Sequence, residues 1–250
     1  MKVMYILPYH WGGMSHYTAE IVNAVSKTEE TFVLTTKKVP SNYFSSSVSI
    51  LRKIEDLDPS IQTFKGLFSF RNISAFASFK NVKIIEQIDP DVIHITAPLI
   101  PPLAICIFLF RLGKKYPIIY TKHGMYASSL KNKILVEWIL KSFEKLVNIK
   151  LLIIHTEEDS DNLIKEYGVS KQQTEVIPHG IYNFFTKYER DVAVERNTIL
   201  FFGTIGKYKG LRYLLEAVML ISKEIPDIKI IIAGRGDLSS YQTLIDACGR

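Results

Sequence analysis

Glycines set between a strand and a helix, and lysines set among glycines, are the residue patterns in this chain that could do chemistry. In PYHWGGMSHYTAE, Gly12 and Gly13 follow the apolar run MKVMYIL. They precede a segment in which Tyr17, Ile21 and Val25 fall on one helical face, with Ser15 expected as the N-cap. Backbone without Cβ atoms at a helix start lets an anion approach, and the first-turn N–H groups point toward it. The spacing is not the G-x-G-x-x-G of dinucleotide-binding folds, so on context alone a tight turn and a ligand loop are both open readings. In ILFFGTIGKYKGLRYLLEAV, Gly203, Gly206 and Gly210 alternate with Lys207 and Lys209. Glycines for close approach and lysines for charge suit a diphosphate, although the Gly-Lys-Ser/Thr order of a Walker loop is absent. IIIAGRGDLSSY repeats the device with Gly234, Arg235 and Gly236.

Histidine is the second resource. His123-Gly124 follows the run Ile118 to Thr121 and so falls at a strand's carboxyl end, where it could contact a hydroxyl or phosphate or exchange a proton. His94 in VIHITAP and His155 in LLIIHTEED read instead as structural histidines, because neither has a catalytic partner beside it in sequence. In VIPHGI, His179 and Gly180 end a short strand and read as a hinge near a cleft, the alternative being a surface turn. The acids Glu157, Glu158, Asp159 and Asp161 follow Thr156 and are explained by capping and the helix dipole rather than by a metal.

The elements that must position these residues follow from hydrophobic pattern. Apolar β-branched runs recur at Val3 to Leu7, Phe32 to Thr35, Val92 to Ile95, Ile118 to Thr121, Leu151 to Ile154, Val176 to Ile177, Ile199 to Phe202 and Ile228 to Ala233. Continuous apolar strands alternating with helices predict an α/β fold with parallel sheets. Leu99 to Leu112 reads as a buried helix ending at Gly113, too short to span a membrane. Leu211 to Lys223 reads as an amphipathic crossover helix, with Leu211, Leu214, Leu215 and Val218 at helical spacing. The serines from Ser45 to Ser49 predict a mobile loop, and the charged stretch Phe184 to Arg196 predicts a boundary.

The 250 residues carry 31 Lys and Arg against 25 Asp and Glu, a net charge of +6, and 47% hydrophobic residues. This mild basicity favours anionic partners, and with no arginine-rich block nucleic-acid binding is not expected. Cys106 and Cys248 form neither a metal spacing nor a disulfide framework, and the amino-terminal apolar run is too short for a signal peptide. The expected location is therefore cytoplasmic. Leu130 to Lys150, LKNKILVEWILKSFEKLVNIK, could form a basic amphipathic surface for peripheral contact at the inner face of a membrane, although a packed helix with solvated lysines is the plainer reading.

Taken in order, FFGTIGKYKGLRYLLEA, TEEDSDNLIKEYGVSKQQTEVIPHGI, PDVIHITAP, TKHG and IIIAGRGD resemble the GT-B glycosyltransferases of the family 4 group. The resemblance implies two Rossmann-like domains facing each other across a cleft: a complete acceptor-side domain over residues 1–185 and the first part of a nucleotide-sugar-binding domain over 186–250. It implies retaining transfer from a nucleotide-diphosphate sugar, with no metal or other cofactor required, to a glycan or lipid-linked acceptor, as in surface polysaccharide biosynthesis. Gly12 and Gly13 would approach the donor diphosphate and His123 would lie near the transferred sugar as the catalytic residue. Lys209, Lys207, Gly203, Gly234 and Arg235 would bind the donor, with cations offsetting the charge that develops as the nucleoside diphosphate leaves. Two departures stand out. Thr204 and Gly206 occupy positions where the family usually has an arginine, and Lys207 cannot reproduce its bidentate fork. The sequence ends at Arg250 before the pair of later glutamates that the family carries, so little turnover is expected of these residues alone, and a non-catalytic sugar- or partner-binding module is the alternative.

Overall fold

In the computed structural model, the residues described are 1–8, 10, 12–55, 70, 72–73, 79–99, 101–123, 142 and 147–248. The chain divides into two compact units, Met1–Tyr188 and Glu189–Arg250.

In the first unit the elements run β1 (Lys2–Leu7), α1 (Gly13–Val25), β2 (Glu30–Thr36), β3 (Val48–Ile54), α2 (Phe79–Ile88), β4 (Val92–Ile95), α3 (Pro101–Leu109), α4 (Leu112–Lys115), β5 (Ile118–Thr121), β6 (Ile149–Ile154), α5 (Glu157–Tyr167) and β7 (Thr174–Val176). Short 3-10 turns lie at Ser41–Tyr43, Lys171–Gln173 and Asn183–Tyr188. All seven strands form one parallel sheet in the order β3-β2-β1-β4-β5-β6-β7. The order reverses at β1, whose neighbours β2 and β4 carry the chain to opposite edges; in open α/β sheets such a point opens a crevice at the strands' carboxyl ends.

The central strands are apolar on both faces because helices cover both. Met4, Ile6, Ile93, Ile95, Leu103, Ile107 and Ile118 pack on one side; Tyr5, Leu7, Val22 and Val33 pack on the other, under α1. Pairing between β5 and β6 slips by one residue: Ile118 faces Ile149 while Ile119 faces Leu151, so Lys150 is an extra residue in β6.

Several expectations change. The serine run does not stay a loop throughout, since Val48 and Ser49 open β3, an edge strand with a mixed exposed and buried pattern. Ser15 is not the N-cap; α1 begins at Gly13 with Gly12 in the cap position, and Ser15 lies buried inside the helix. The helix from Pro101 does not run to Gly113. It ends at Leu109, Arg111 turns to φ 54, and Gly113 lies within α4. Gly113 is small for a packing reason, because a Cβ there would sit 2.0 Å from the Val147 carbonyl oxygen. Most of the stretch 130–150 lies outside the described residues, and its end is strand, not helix, because Ile149 and Lys150 open β6.

The second unit contains β8 (Thr198–Phe202), a 3-10 turn (Lys207–Lys209), α6 (Leu211–Ile221), β9 (Lys229–Ala233), a 3-10 turn (Ser239–Tyr241) and α7 (Gln242–Cys248). Strands β8 and β9 pair in parallel, which requires a crossover between them, here α6. Leu211, Leu215 and Tyr241 are buried with Phe201, Ile230 and Ile232 against them, while Leu200 and Phe202 on the opposite face are 59% and 78% exposed. Among the described residues, no helix is long and apolar enough to cross a membrane.

Candidate functional site

The carboxyl ends of β4, β5, β6 and β7 bring together side chains that lie far apart in sequence. His123 sits two residues past β5, His155 one residue past β6 and His179 three residues past β7. Their ring centroids are 4.9 Å apart for His123 and His155 and 5.1 Å for His155 and His179. Tyr17, from α1, is the hub: its ring lies edge-on to His123 at 4.5 Å and within 5.4 Å of His155 and 5.1 Å of His179.

Hydrogen bonds fix this arrangement. Nε2 of His123 lies 2.9 Å from the Thr96 carbonyl oxygen, and since a carbonyl only accepts, that nitrogen carries a hydrogen. Nδ1 of His155 lies 2.9 Å from the Ile177 carbonyl oxygen and donates for the same reason. The remaining nitrogens, Nε2 of His155 and Nδ1 of His123, face each other at 3.1 Å. Both ring nitrogens of His123 are therefore engaged. His179 donates from Nδ1 to the Gly180 carbonyl at 2.7 Å, and its Nε2 lies 3.4 Å from the Tyr182 hydroxyl.

A second layer supports the first. His94 is 6% exposed, and its Nε2 lies 2.8 Å from the Thr121 hydroxyl, which also bonds Tyr17. Thr96 Oγ1 shares a 2.7 Å hydrogen bond with Thr18 of α1. Burial pushes His94 down to about 4, with His123 adding to the effect. Burial also pushes His123 down to about 4; the Thr96 carbonyl opposes this, and His155 and His179 add to it. Both rings are held neutral, and burial raises the Tyr17 phenol.

Gly12 lies at φ 75, ψ −173, a combination open essentially to glycine alone, and a Cβ there would meet nothing within 4 Å. Space is left open in front of the first turn of α1. Gly13 is bounded instead, because a Cβ would approach the Tyr182 hydroxyl at 3.2 Å, and that hydroxyl bonds the Gly13 carbonyl at 3.4 Å. Gly180, like Gly12, has open space around it. Of the predicted residues, Gly13, His123, His179 and Gly180 thus gather round Tyr17 and Tyr182, with Gly12 at the head of α1. Thr156 caps α5 as expected, its Oγ1 accepting from the Asp159 amide at 3.1 Å.

In the second unit the glycines divide by cause. Gly234 is small for its neighbour, because a Cβ there would lie 1.7 Å from the Gly203 carbonyl oxygen, whereas Gly203 itself stands at φ 129 with nothing within 4 Å of its Cβ position. This close approach lets the strand ends continue pairing past β8 and β9, with Gly203 N bonded to the Ala233 carbonyl at 2.9 Å and Ile205 N to the Arg235 carbonyl at 2.7 Å. Lys207 and Lys209 occupy the exposed 3-10 turn that leads into α6, and the Lys209 ammonium lies 5.2 Å from the Tyr208 ring centre. Arg235 is exposed at the end of β9. Among the described residues, no group of three or more His, Cys, Asp or Glu side chains is arranged to hold a metal ion.

Sequence reading missed His155 and Tyr17 as neighbours of His123, and Tyr182 as a neighbour of His179. The histidines share one signal, position: His123, His155 and His179 each stand just beyond the carboxyl end of a strand, in YTKHG, IIHTE and IPHG alike.

Residues 11–182 match the model of Glycosyltransferase Family 4, and residues 185–250 match that of Glycosyl transferases group 1. The chain is 31% identical over 96 residues to the D-inositol 3-phosphate glycosyltransferase of Pseudarthrobacter chlorophenolicus, covering 35% of this chain and 23% of that protein. It is 23% identical over 188 residues to an uncharacterized glycosyltransferase of Methanocaldococcus jannaschii, covering 68% of this chain and 45% of the relative. The chain thus spans less than half the length of the curated relatives it matches. Among solved structures, the UDP-GlcNAc 2-epimerase of Neisseria meningitidis bound to UDP-GlcNAc superposes with a TM-score of 0.60 at 14% identity, over 100% of this chain and 69% of its own. Anabaena HepE in complex with UDP and glucose gives 0.60 and 14%, over 100% of this chain and 66% of its own. At such identity these likenesses speak for fold, which is α/β and GT-B-like. With most of its length matched by the first model in one continuous stretch, the chain belongs to Glycosyltransferase Family 4.

Proposed function

We propose that the protein transfers a sugar, with retention, from a nucleotide-diphosphate sugar to a glycan or lipid-linked acceptor, in the cytoplasm or at the inner face of the membrane. The observation that carries this reading is the order of the two family matches along the chain, with the predicted site residues falling at strand ends in both units. Lys207, Lys209 and Arg235 supply positive charge for the donor diphosphate, and Gly203 and Gly234 shape the backbone from which those side chains extend. Departure of a nucleoside diphosphate builds negative charge, and fixed cations stabilise it without reorganisation. Gly12 leaves room for a phosphate at the head of α1 with Gly13 beside it, His123 lies near the transferred sugar, and His179 with Gly180 lines the same region. Transfer is proposed for the whole protein; donor binding is the part these residues can be asked to perform.

The test is titration of the chain with UDP, GDP, dTDP and ADP by calorimetry, repeated for Lys209→Ala and Lys207→Ala. Loss of one charge-assisted contact weakens binding by roughly tenfold to a hundredfold. At least one nucleotide should bind and Lys209→Ala should bind it correspondingly less well. No binding by any of the four, or an unchanged affinity in both variants, counts against the reading.

A further inference from the structure

The three hydrogen bonds that tie His123 and His155 into the fold need more protons than two neutral imidazoles carry. Thr96 requires a hydrogen on Nε2 of His123, and Ile177 requires one on Nδ1 of His155. Two neutral rings have then given both of their hydrogens to carbonyls. The nitrogens left facing each other at 3.1 Å would be two lone pairs, which repel; a hydrogen between them turns the contact into a bond.

We propose that His155 is a positioning residue that acts through His123: doubly protonated, it donates Nδ1–H to the Ile177 carbonyl and Nε2–H to Nδ1 of His123. This assignment rests on the reading of His123 as a site residue. The pair is thus an imidazole bonded to an imidazolium, with a single positive charge, a cation built without lysine or arginine at the sheet's carboxyl edge. Such a charge suits an anionic oxygen of a substrate, phosphate or carboxylate. The bond also fixes the His123 ring from both ends, so that its plane against Tyr17 is set by the protein rather than by the ligand. Desolvation disfavours a second proton on His123, so the shared hydrogen is assigned to the His155 side of the contact.

Among the described residues, the titratable groups that face the pair are Tyr17 from α1, His94 from β4 and His179 from the segment after β7. Lys122 is the buried residue just before His123. The acids that follow His155, Glu157, Glu158 and Asp159, open α5, and Asp159 is tied to the Thr156 cap by its own amide and by an Oδ2 contact of 2.9 Å from the Thr156 hydroxyl.

The experiment is long-range proton-nitrogen correlation NMR on the full chain labelled with ¹⁵N-histidine, between about pH 5.5 and 8.5. Single His→Gln variants assign the signals. At the acid end His155 should show two protonated nitrogens and His123 one protonated Nε2 with a hydrogen-bonded, bare Nδ1; both rings should then move together in one step as the third proton leaves. In His155→Gln, whose amide N–H can replace the donor, the His123 signals should hold their acid-end positions across the whole range. In His155→Leu the His123 Nδ1 signal should shift to that of a nitrogen without a donor. A bare His155 Nε2 at the acid end, or a His123 spectrum that is the same in the Gln and Leu variants, overturns the proposal. If neither variant folds, the wild-type proton count decides. None of these readouts uses substrate, so a transferase reading that fails leaves the proton count standing, and a proton count that fails leaves nucleotide binding to be judged alone.

Discussion

The buried histidine behind the site should make the fold sensitive to acid in a way that can be separated from every other titrating group. His94 is 6% exposed, bonded to Thr121 and pushed down to about 4 by burial. In the unfolded chain a histidine titrates near its ordinary 6.5. Between these two values the unfolded chain holds a proton at His94 that the folded protein refuses. The unfolded state therefore binds more protons, and stability rises with pH across the window. The contribution is fully present above about pH 6.5, declines as pH falls, and is exhausted near pH 4, where the folded ring protonates too. The interval of about 2.5 units corresponds to about 3 kcal/mol. His94→Gln removes the titration while leaving an amide that can reach the Thr121 hydroxyl. Urea unfolding of both proteins at about pH 7.5, 6, 5 and 4.5 gives the comparison, because groups shared by the two cancel in the difference. The variant should be the less stable protein at pH 7.5, and its deficit should shrink by about 1.4 kcal/mol for each unit of acidification below pH 6.5. Parallel stability curves over the whole range would refute the argument, since they would mean that His94 meets protons equally in both states.

Two further outcomes follow from contacts outside the histidine cluster. Gly234→Ala places a Cβ where the Gly203 carbonyl oxygen already stands, so the strand ends must separate by about 1 Å or more and the Gly203 and Ile205 amide bonds weaken. A loss of about 3 kcal/mol is expected in the second unit, read as faster hydrogen exchange at the Gly203 and Ile205 amides with Met4 and Ile6 in β1 unchanged; retained protection would show that the approach is not fixed. Thr156→Ala removes the cap that accepts from the Asp159 amide and should cost about 1 kcal/mol, measured by urea unfolding, whereas Thr156→Ser should recover most of it.

What could be read from sequence divides along physical lines. VMYIL, VIHI, IIYT and KLLII announce themselves because strands buried on both faces have no room for polar alternation. Strand β3 did not, because at the edge it mixes Ser49, Arg52 and Lys53 with its apolar residues and follows a serine-rich turn. The start of α1 was misplaced because Ser15 has the usual capping chemistry, whereas the cap position is filled by a glycine chosen for its backbone angles. In the site, His94 was legible as a core residue from its strand. His155 was not legible as the partner of His123, because their meeting depends on which residue of β6 stands beside which residue of β5, and hydrophobic pattern says nothing of register between two uniformly apolar strands.

That register turns on Lys150, the one residue of β6 that the β5 pairing skips. Beyond the skip, Thr121 stands beside Ile153, and two steps further along each chain His123 meets His155. Were the skip closed, every later residue of β6 would advance by one rung, and alternation would turn the imidazole of His155 toward the opposite face of the sheet. The proximity of the two rings is thus governed by which residues of the two strands pair rather than by the identity of any neighbour. Deleting Lys150 would take out the extra residue and still leave Thr121 beside Ile153, so the pair would outlast the loss of that codon; what would part the two rings is Lys150 drawn into the ladder opposite Ile119.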